Sequence, residues 1–236
     1  IENISELTND LTCSVITYGF NETCDYYASD ISYDEFAHPF FILNDKKHDP
    51  IKIHLGVPGR HNISNALSAI AFSDLCNIDR TFTINALETF HGTERRFEKK
   101  GEIGGVTIID DYAHHPTEIA ATLNAAKNYP HKTLWCVFQP HTYTRTKSFL
   151  TDFAKSLSLA DKIILADIYA ARETNTLGIS SKNLQDEIKK LGKECYYFPS
   201  FDEIENFILE SCTHGDLLIT MGAGDIVKVG ESLLGK

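Results

Sequence analysis

Apolar residues recur along this chain with two different rhythms, and the change between them divides it. In the first stretch, Cys13 to Phe20, Pro39 to Leu43 and Ile51 to Leu55 read as strands. The polar run Asn44 to Pro50 predicts an antiparallel hairpin between the last two. A helix is predicted from about Asn62 to Cys76, because Ile63, Ala66, Leu67, Ile70 and Ala71 keep the i, i+3, i+4, i+7, i+8 spacing of one buried face. That phase sets the polar His61, Asn62 and Asn65 in its first turn. Beyond His91 to Thr93 the text becomes an alternation. Val106 to Ile109, Leu134 to Phe138, Ile163 to Ala166, Cys195 to Phe198 and Leu217 to Thr220 are strand candidates. Amphipathic helices fall between and after them: Ile119, Leu123 and Ala126 behind Pro116; Phe149, Leu150, Phe153 and Leu157; Leu184, Ile188 and Leu191; Ile204, Phe207 and Ile208; Ile226, Val229 and Leu233.

This pattern predicts an α/β fold in two parts. The first is a partial domain of antiparallel strands and helices over residues 1–93, and the second a Rossmann-like doubly wound domain over 94–236. No Pro/Gly/Ser-rich linker marks the boundary, which is placed near Glu94 from the change of pattern alone. No repeat exceeds the alternation itself.

Charge and cysteine content narrow the function. A net charge of -11 excludes a broad electrostatic footprint for nucleic acid or anionic membrane, while leaving room for a local basic pocket, so small-molecule chemistry is favoured. The six cysteines show no C-x-x-C pair and predict reduced thiols in a cytoplasmic protein. No apolar run approaches the roughly 20 residues that span a bilayer, and no basic-then-apolar leader opens the chain. The start at Ile1, without methionine, reads as a fragment cut from a longer protein.

The densest chemistry lies in Asp110-Asp111-Tyr112-Ala113-His114-His115-Pro116-Thr117-Glu118, where two carboxylates and two imidazoles crowd a predicted turn between strand and helix. A helix start carries free donors and partial positive charge, and in open α/β sheets ligands gather beyond the carboxyl ends of strands. The plain alternative is a turn in which the acids cap the helix and one histidine packs. A metal-hydrolase site is a further reading, but consecutive acids and consecutive histidines point different ways, and no metal ligand is assigned. His141 and Arg145 follow the strand ending at Phe138 and should emerge on the same edge as Asp111. Arginine there could fork onto a phosphate, or simply be solvated. Arg95, Arg96, Lys99 and Lys100 read as an exposed basic strand. His61, Asn62 and Asn65 are either helix caps or amides for an adenine edge. The glycines of Met221-Gly222-Ala223-Gly224 fit an anion or tight packing equally well. Gly230 to Lys236 spells G-x-x-x-x-G-K, but on a predicted helix, and is read as coincidence.

Taken in order, Gly59-Arg60-His61-Asn62-Ile63-Ser64-Asn65-Ala66-Leu67, Arg95-Arg96-Phe97-Glu98, the Asp110 to Glu118 block and Phe138-Gln139-Pro140-His141-Thr142-Tyr143-Thr144-Arg145-Thr146 resemble the Mur ligases over nearly the whole chain. The resemblance is to the later part of such an enzyme: the end of the central ATPase domain and the C-terminal domain. It implies ATP and Mg2+ as cofactors, and UDP-N-acetylmuramate and L-alanine as substrates, joined through an acyl phosphate. It also implies a cytoplasmic enzyme of peptidoglycan precursor synthesis with neither nucleic acid nor membrane as partner. Carried over residue by residue, it puts His61, Asn62 and Asn65 beside adenine, Arg96 on nucleotide phosphate and Asp111 with the nucleotide. His114, His141 and Arg145 fall toward the reacting centre, while Arg95, Lys99 and Lys100 are left to solvent. Some members carry arginine where Thr142 stands. The Asp111 to Glu118 text is closer to the alanine-adding branch than to the branch that recycles a tripeptide. The phosphate loop and the uridine-gripping domain are expected upstream, so this polypeptide alone is expected to be inactive. A noncatalytic nucleotide-binding module is the alternative of another class.

Overall fold

The computed structural model describes Glu6 and residues 8–236. The chain divides into two compact units, one of Ile1–Asp34 with His38–His91 and one of Glu35–Ala37 with Gly92–Lys236.

In the first unit, β1 (Tyr18–Gly19), β2 (Tyr26–Tyr33), β3 (Pro39–Asp45) and β4 (Ile51–His54) form one sheet in chain order, with β2, β3 and β4 antiparallel. The predicted hairpin is β3 and β4, in register Phe40 to His54. The predicted strand from Cys13 to Phe20 is corrected: only Tyr18–Gly19 is strand, because Val15, Tyr18 and Phe20 stay exposed and have no face to bury. β2 takes its place, turning Tyr26 and Ala28 inward before a bulge at Ser29 and Ser32, where Asp30 sits at φ 50°. Helix α1 (Arg60–Leu75) buries Ile63, Ala66, Leu67, Ile70 and Ala71 in a core shared with Phe41, Leu43, Ile53 and Leu55. Helix α2 (Arg80–Thr89) is an addition to the predicted elements. Its only fully buried residue is Thr83 and Phe82 is 72% exposed; Ile84 and Leu87 lie half-buried against the core, an apolar face too short to read in sequence.

The second unit has a sheet of β5 (Glu98–Ile103), β6 (Val106–Asp111), β7 (Leu134–Phe138), β8 (Lys162–Leu165), β9 (Glu194–Tyr197) and β10 (Leu217–Met221), in the order β5-β6-β10-β7-β8-β9. All pairs are parallel except β5 with β6. Helices α3 (Pro116–Ala126), α4 (Tyr143–Ser148), α5 (Leu150–Leu157), α6 (Ser181–Lys190), α7 (Phe201–Ser211) and α8 (Val227–Leu233) complete it. One core gathers Ile119, Leu123, Phe153, Leu184 and Ile188 from α3, α5 and α6, and another gathers Ile204, Ile208 and Val229 from α7 and α8. Helices on both faces of a mainly parallel sheet make the doubly wound fold that the alternation predicted. Because β10 inserts between β6 and β7, Asp111, Met221 and Phe138 end level with one another. That row is the floor of the candidate site.

Gly230, the first glycine of the false phosphate loop, lies on α8 where a Cβ would come within 3.1 Å of Ile108, so it is a packing glycine. The six cysteines are free thiols. Among the described residues no helix is long and apolar enough to cross a membrane.

Candidate active site

Asp110 and Asp111 end β6 and are not part of the turn, which corrects the sequence placement. Successive strand residues face opposite ways, so the two acids meet different partners. Asp110 is wholly buried; its Oδ2 accepts from Arg95 Nε at 2.8 Å and its Oδ1 from the Thr220 hydroxyl at 2.7 Å. Asp111 accepts the Ala113 N–H on Oδ1 and the Phe97 N–H on Oδ2, each at 2.8 Å. Burial raises both carboxyls above the usual range, against the pull of Arg95 and Thr220 on Asp110 and of the Ala113 and Phe97 amides on Asp111. Every carboxylate oxygen has a protein donor, a poor arrangement for a metal ligand. Nor do the acids cap the helix. His115 is the N-cap of α3, its Nδ1 accepting from Thr117 N at 3.3 Å, and Glu118 Oε2 accepts the N–H groups of His114 and His115 at 3.0 and 3.2 Å. Burial opposes ionisation of Glu118, but these amides, with His114 and Arg96 nearby, hold its carboxyl below the usual range.

The same turn brings His114 to His141. Their ring centroids are 6.0 Å apart. His114 Nδ1 lies 3.0 Å from the Tyr112 carbonyl, which can only accept, so Nδ1 carries a proton and, whenever the ring is neutral, the lone pair falls on Nε2. His141 is stacked on Tyr169 at 5.5 Å, a pairing held by the Thr142 N–H on the Tyr169 carbonyl at 2.9 Å. Burial, then the positive charges of Arg145 and His114, lower its pKa and keep it neutral. Arg145 sits in the first turn of α4, whose N-cap Thr142 accepts from the Arg145 N–H. Thr142 does this at φ 67°, a strained conformation for a β-branched residue.

Three buried polar atoms on this segment have no hydrogen-bond partner: Gln139 Oε1, His141 Nδ1 and Arg145 Nη1. Buried polar groups are normally satisfied, so their concentration just after β7 marks a place prepared for a ligand. Gln139 and Tyr169 are site residues that the sequence reading did not single out. Gln139 carried a signal, standing between the β7 strand and His141; Tyr169 lies outside any periodic segment and carried none. Glycine at 224 is required here, since a Cβ would meet Gln139 Oε1 at 2.3 Å and the Tyr169 ring at 2.9 Å.

The basic strand separates into unlike parts. Arg95 does not face solvent: besides Asp110 it donates to the carbonyls of Gly222 and Gly224, at 2.8 and 3.1 Å. Lys100 is held between Glu98 and Glu231, each at 3.3 Å. Arg96 and Lys99 are exposed, Arg96 with its guanidinium 5.7 Å from the Tyr112 ring centre. In the first unit, His61, Asn62 and Asn65 share the first turns of α1, with His61 and Asn65 exposed. They are not its cap, which is Gly59; Asn62 Nδ2 instead donates to the Pro58 carbonyl at 2.8 Å and Asn65 Nδ2 to Asn62 Oδ1 at 3.0 Å.

Comparison with known proteins agrees with this organisation. Residues 95–224 match the glutamate ligase domain of the Mur ligases and residues 1–73 match the Mur ligase middle domain. The chain is 54% identical over 246 aligned residues to a UDP-N-acetylmuramate–L-alanine ligase of Lachnoclostridium phytofermentans, covering 100% of this chain and 52% of the relative. It is 50% identical over 230 residues to that of Clostridium botulinum, covering 98% and 50%. A crystal structure of the UDP-N-acetylmuramate–alanine ligase from Thermotoga maritima superposes with a TM-score of 0.78 at 30% identity, over 93% of this chain and 47% of that one. A murein peptide ligase from Psychrobacter arcticus gives 0.65 at 26%, over 93% and 45%. The chain therefore spans about half the length of the curated relatives it matches. With the strand-edge cluster and the doubly wound sheet, the match over 95–224 establishes that this chain belongs to the Mur ligase family.

Proposed function

We propose that the chain is part of an ATP-dependent carboxylate–amine ligase that joins L-alanine to UDP-N-acetylmuramate in the cytoplasm. The reading rests chiefly on 54% identity, along the full chain, to a ligase of that name. Residues 1–93 then belong to the central ATP-binding domain and 94–236 to the C-terminal domain. Asn62 and Asn65, with His61, serve the adenine edge, and the exposed Arg96 serves nucleotide phosphate. Asp111 acts beside it by fixing the Phe97 and Ala113 backbone. ATP supplies the phosphoryl group that turns a carboxylate into an acyl donor, and Mg2+ shields the phosphate charge. The filled carboxylates of Asp110 and Asp111 do not fit Mg2+, so its ligands are assigned to the rest of the enzyme. Arg145, with a buried unpaired Nη1, neutralises anionic charge on the acyl donor. His114 takes a proton from the alanine ammonium on Nε2, releasing the amine that attacks the acyl carbon; the C–N bond forms as the acyl C–O bond breaks, and phosphate leaves with the proton the nitrogen sheds. His141, kept neutral, orients the same group.

Phosphate release from ATP, with UDP-N-acetylmuramate and Mg2+ present, tests this on the chain alone and on a version extended upstream to the length of its relatives. The extended protein should release phosphate in step with L-alanine addition, and the 236-residue chain should release none. Ligation by the short chain would overturn the expectation that it is inactive alone; silence from a folded extended protein overturns the ligase reading and leaves a binding module. A preformed tripeptide serving better than L-alanine would move the assignment to the peptide-recycling branch represented by the Psychrobacter structure.

A further inference from the structure

Among the described residues, one cluster of metal-binding side chains lies outside everything assigned above. In the first unit, Asp34 after β2 and His38 before β3 clasp each other. The Asp34 N–H donates to the His38 carbonyl at 3.0 Å, Asp34 Oδ1 accepts the His38 N–H at 2.9 Å, and Oδ2 stands 3.1 Å from His38 Nδ1. Strand β4 ends beside them, because its register pairs His54 with Phe40, two residues beyond His38. The His54 ring is stacked on Phe40 at 4.2 Å and 14°, which fixes its plane. Its Nε2 then lies 3.6 Å from the same Asp34 Oδ2, and its Nδ1 lies 3.5 Å from Glu88 on α2.

Two features point to a cation here. His54 Nε2 is buried and has no hydrogen-bond partner, although it faces a carboxylate. Glu88 faces the other ring nitrogen, Nδ1, at 3.5 Å, and a carboxylate behind an imidazole is how metal-ligating histidines are normally held. The spacing fits as well. Tetrahedral bonds of about 2.0 to 2.2 Å put neighbouring ligand atoms roughly 3.3 Å apart. The separations of 3.1 and 3.6 Å bracket that value, and all three ligand atoms lie within 4.8 Å of one another.

We propose that Asp34, His38 and His54 form a site for a first-row divalent cation, Zn2+ above all, with Glu88 positioning the His54 ring. Two imidazoles and one carboxylate suit Zn2+ and its neighbours, whereas Mg2+ and Ca2+ require oxygen ligands. The three side chains are each about a quarter exposed, which leaves an entry path and a fourth position for water. Bound there, the ion links the residues flanking β2 and β3 to the end of β4 and gives His54 Nε2 the partner it lacks.

The test uses the metal-stripped 236-residue chain, titrated with Co2+ and followed by visible absorption, with Zn2+ as competitor. One equivalent of Co2+ should develop ligand-field bands, with no thiolate-to-cobalt charge transfer, and Zn2+ should displace it. His54→Gln and Asp34→Asn should each weaken binding at least tenfold, and Glu88→Gln should weaken it less. Far-UV circular dichroism of the metal-free variants checks that they are folded. Diethyl pyrocarbonate labelling of the unmutated chain, mapped by mass spectrometry, needs no variant: Zn2+ should protect His38 and His54. No saturable uptake, unchanged affinity in a folded His38→Gln/His54→Gln variant, or protection confined to other histidines overturns the proposal.

Discussion

Each unit of this molecule holds one arginine clamped by acids, and the two clamps do different work. In the first unit Arg80 bridges Asp74 at the end of α1 and Asp45 at the end of β3, and Tyr26 donates its hydroxyl to Asp74. This clamp joins elements, with Asp45 also holding His48 and the Lys47 amide. In the second, Arg95 bonds Asp110 and spends its other nitrogens on the carbonyls of Gly222 and Gly224, so the same fork fixes the loop that passes Gln139 and Tyr169. Removing one partner of a buried pair leaves an uncompensated charge, which costs far more than the pair contributes. Asp110→Ala should therefore destabilise the second unit by about 3–5 kcal/mol. Asp74→Ala, beside an Arg80 that keeps Asp45, should cost the first unit roughly 1–3 kcal/mol. Trp135, the single tryptophan and buried on β7, reports the second unit by fluorescence in denaturant, while far-UV circular dichroism reports both. Equal costs would show that the second clamp is no more than a structural pair.

Protons sharpen the contrast, because the two sets of acids respond in opposite senses. Burial works against Asp45 and Asp74, but hydrogen bonds from His48, the Lys47 N–H and Arg80 on Asp45, and from Arg80 and Tyr26 on Asp74, together with the charge of Arg80, hold both below the usual range. Their stabilisation is present above the unfolded value near 3.9 and is lost as pH falls through their lower folded values. Asp110 and Asp111 are raised by burial, so their ionisation works against the fold, and that penalty lifts as pH falls through their raised values. Acid should then unfold the first unit before the second. Circular dichroism would begin to change at a higher pH than Trp135 fluorescence, and the reverse order would break the comparison.

Legibility in sequence followed the same division. The parallel strands of the second unit are legible because both faces of its sheet are covered, so Leu134 to Phe138 and Leu217 to Met221 appear as unbroken apolar runs, whereas β5, polar and at the sheet edge, shows only as a basic stretch. The first unit was read less well. Its sheet is covered on one side, β2 is largely polar and bulged, and α2 has only a short, half-buried apolar face, so periodicity had little to detect. In the site, the position of His141 and Arg145 after the strand ending at Phe138 predicts that they emerge on the same edge as Asp111, and their neighbour across it is His114. The place of Asp110 and Asp111 within β6 was missed, because acids at a strand end look like the start of a turn. The Asp34, His38 and His54 cluster was invisible, since its members are joined only by the register of β3 with β4.

The smallest expected effect concerns two neighbours that residue type does not separate and that only the family resemblance tells apart. Arg95 and Arg96 differ by one position, and Arg95 reaches its buried partner at φ 58° while Arg96 is left exposed over Tyr112. Arg96→Ala should change unfolding stability by no more than about 0.5 kcal/mol, as for a surface residue without a buried partner. Its effect should fall instead on ATP affinity in the extended protein, which equilibrium titration with a nonhydrolysable analogue would read. A large stability loss from Arg96→Ala with ATP affinity intact would exchange the roles of the two arginines. The phosphate contact would then have to come from Arg95, which could make it only by releasing Asp110 and the Gly222 and Gly224 carbonyls.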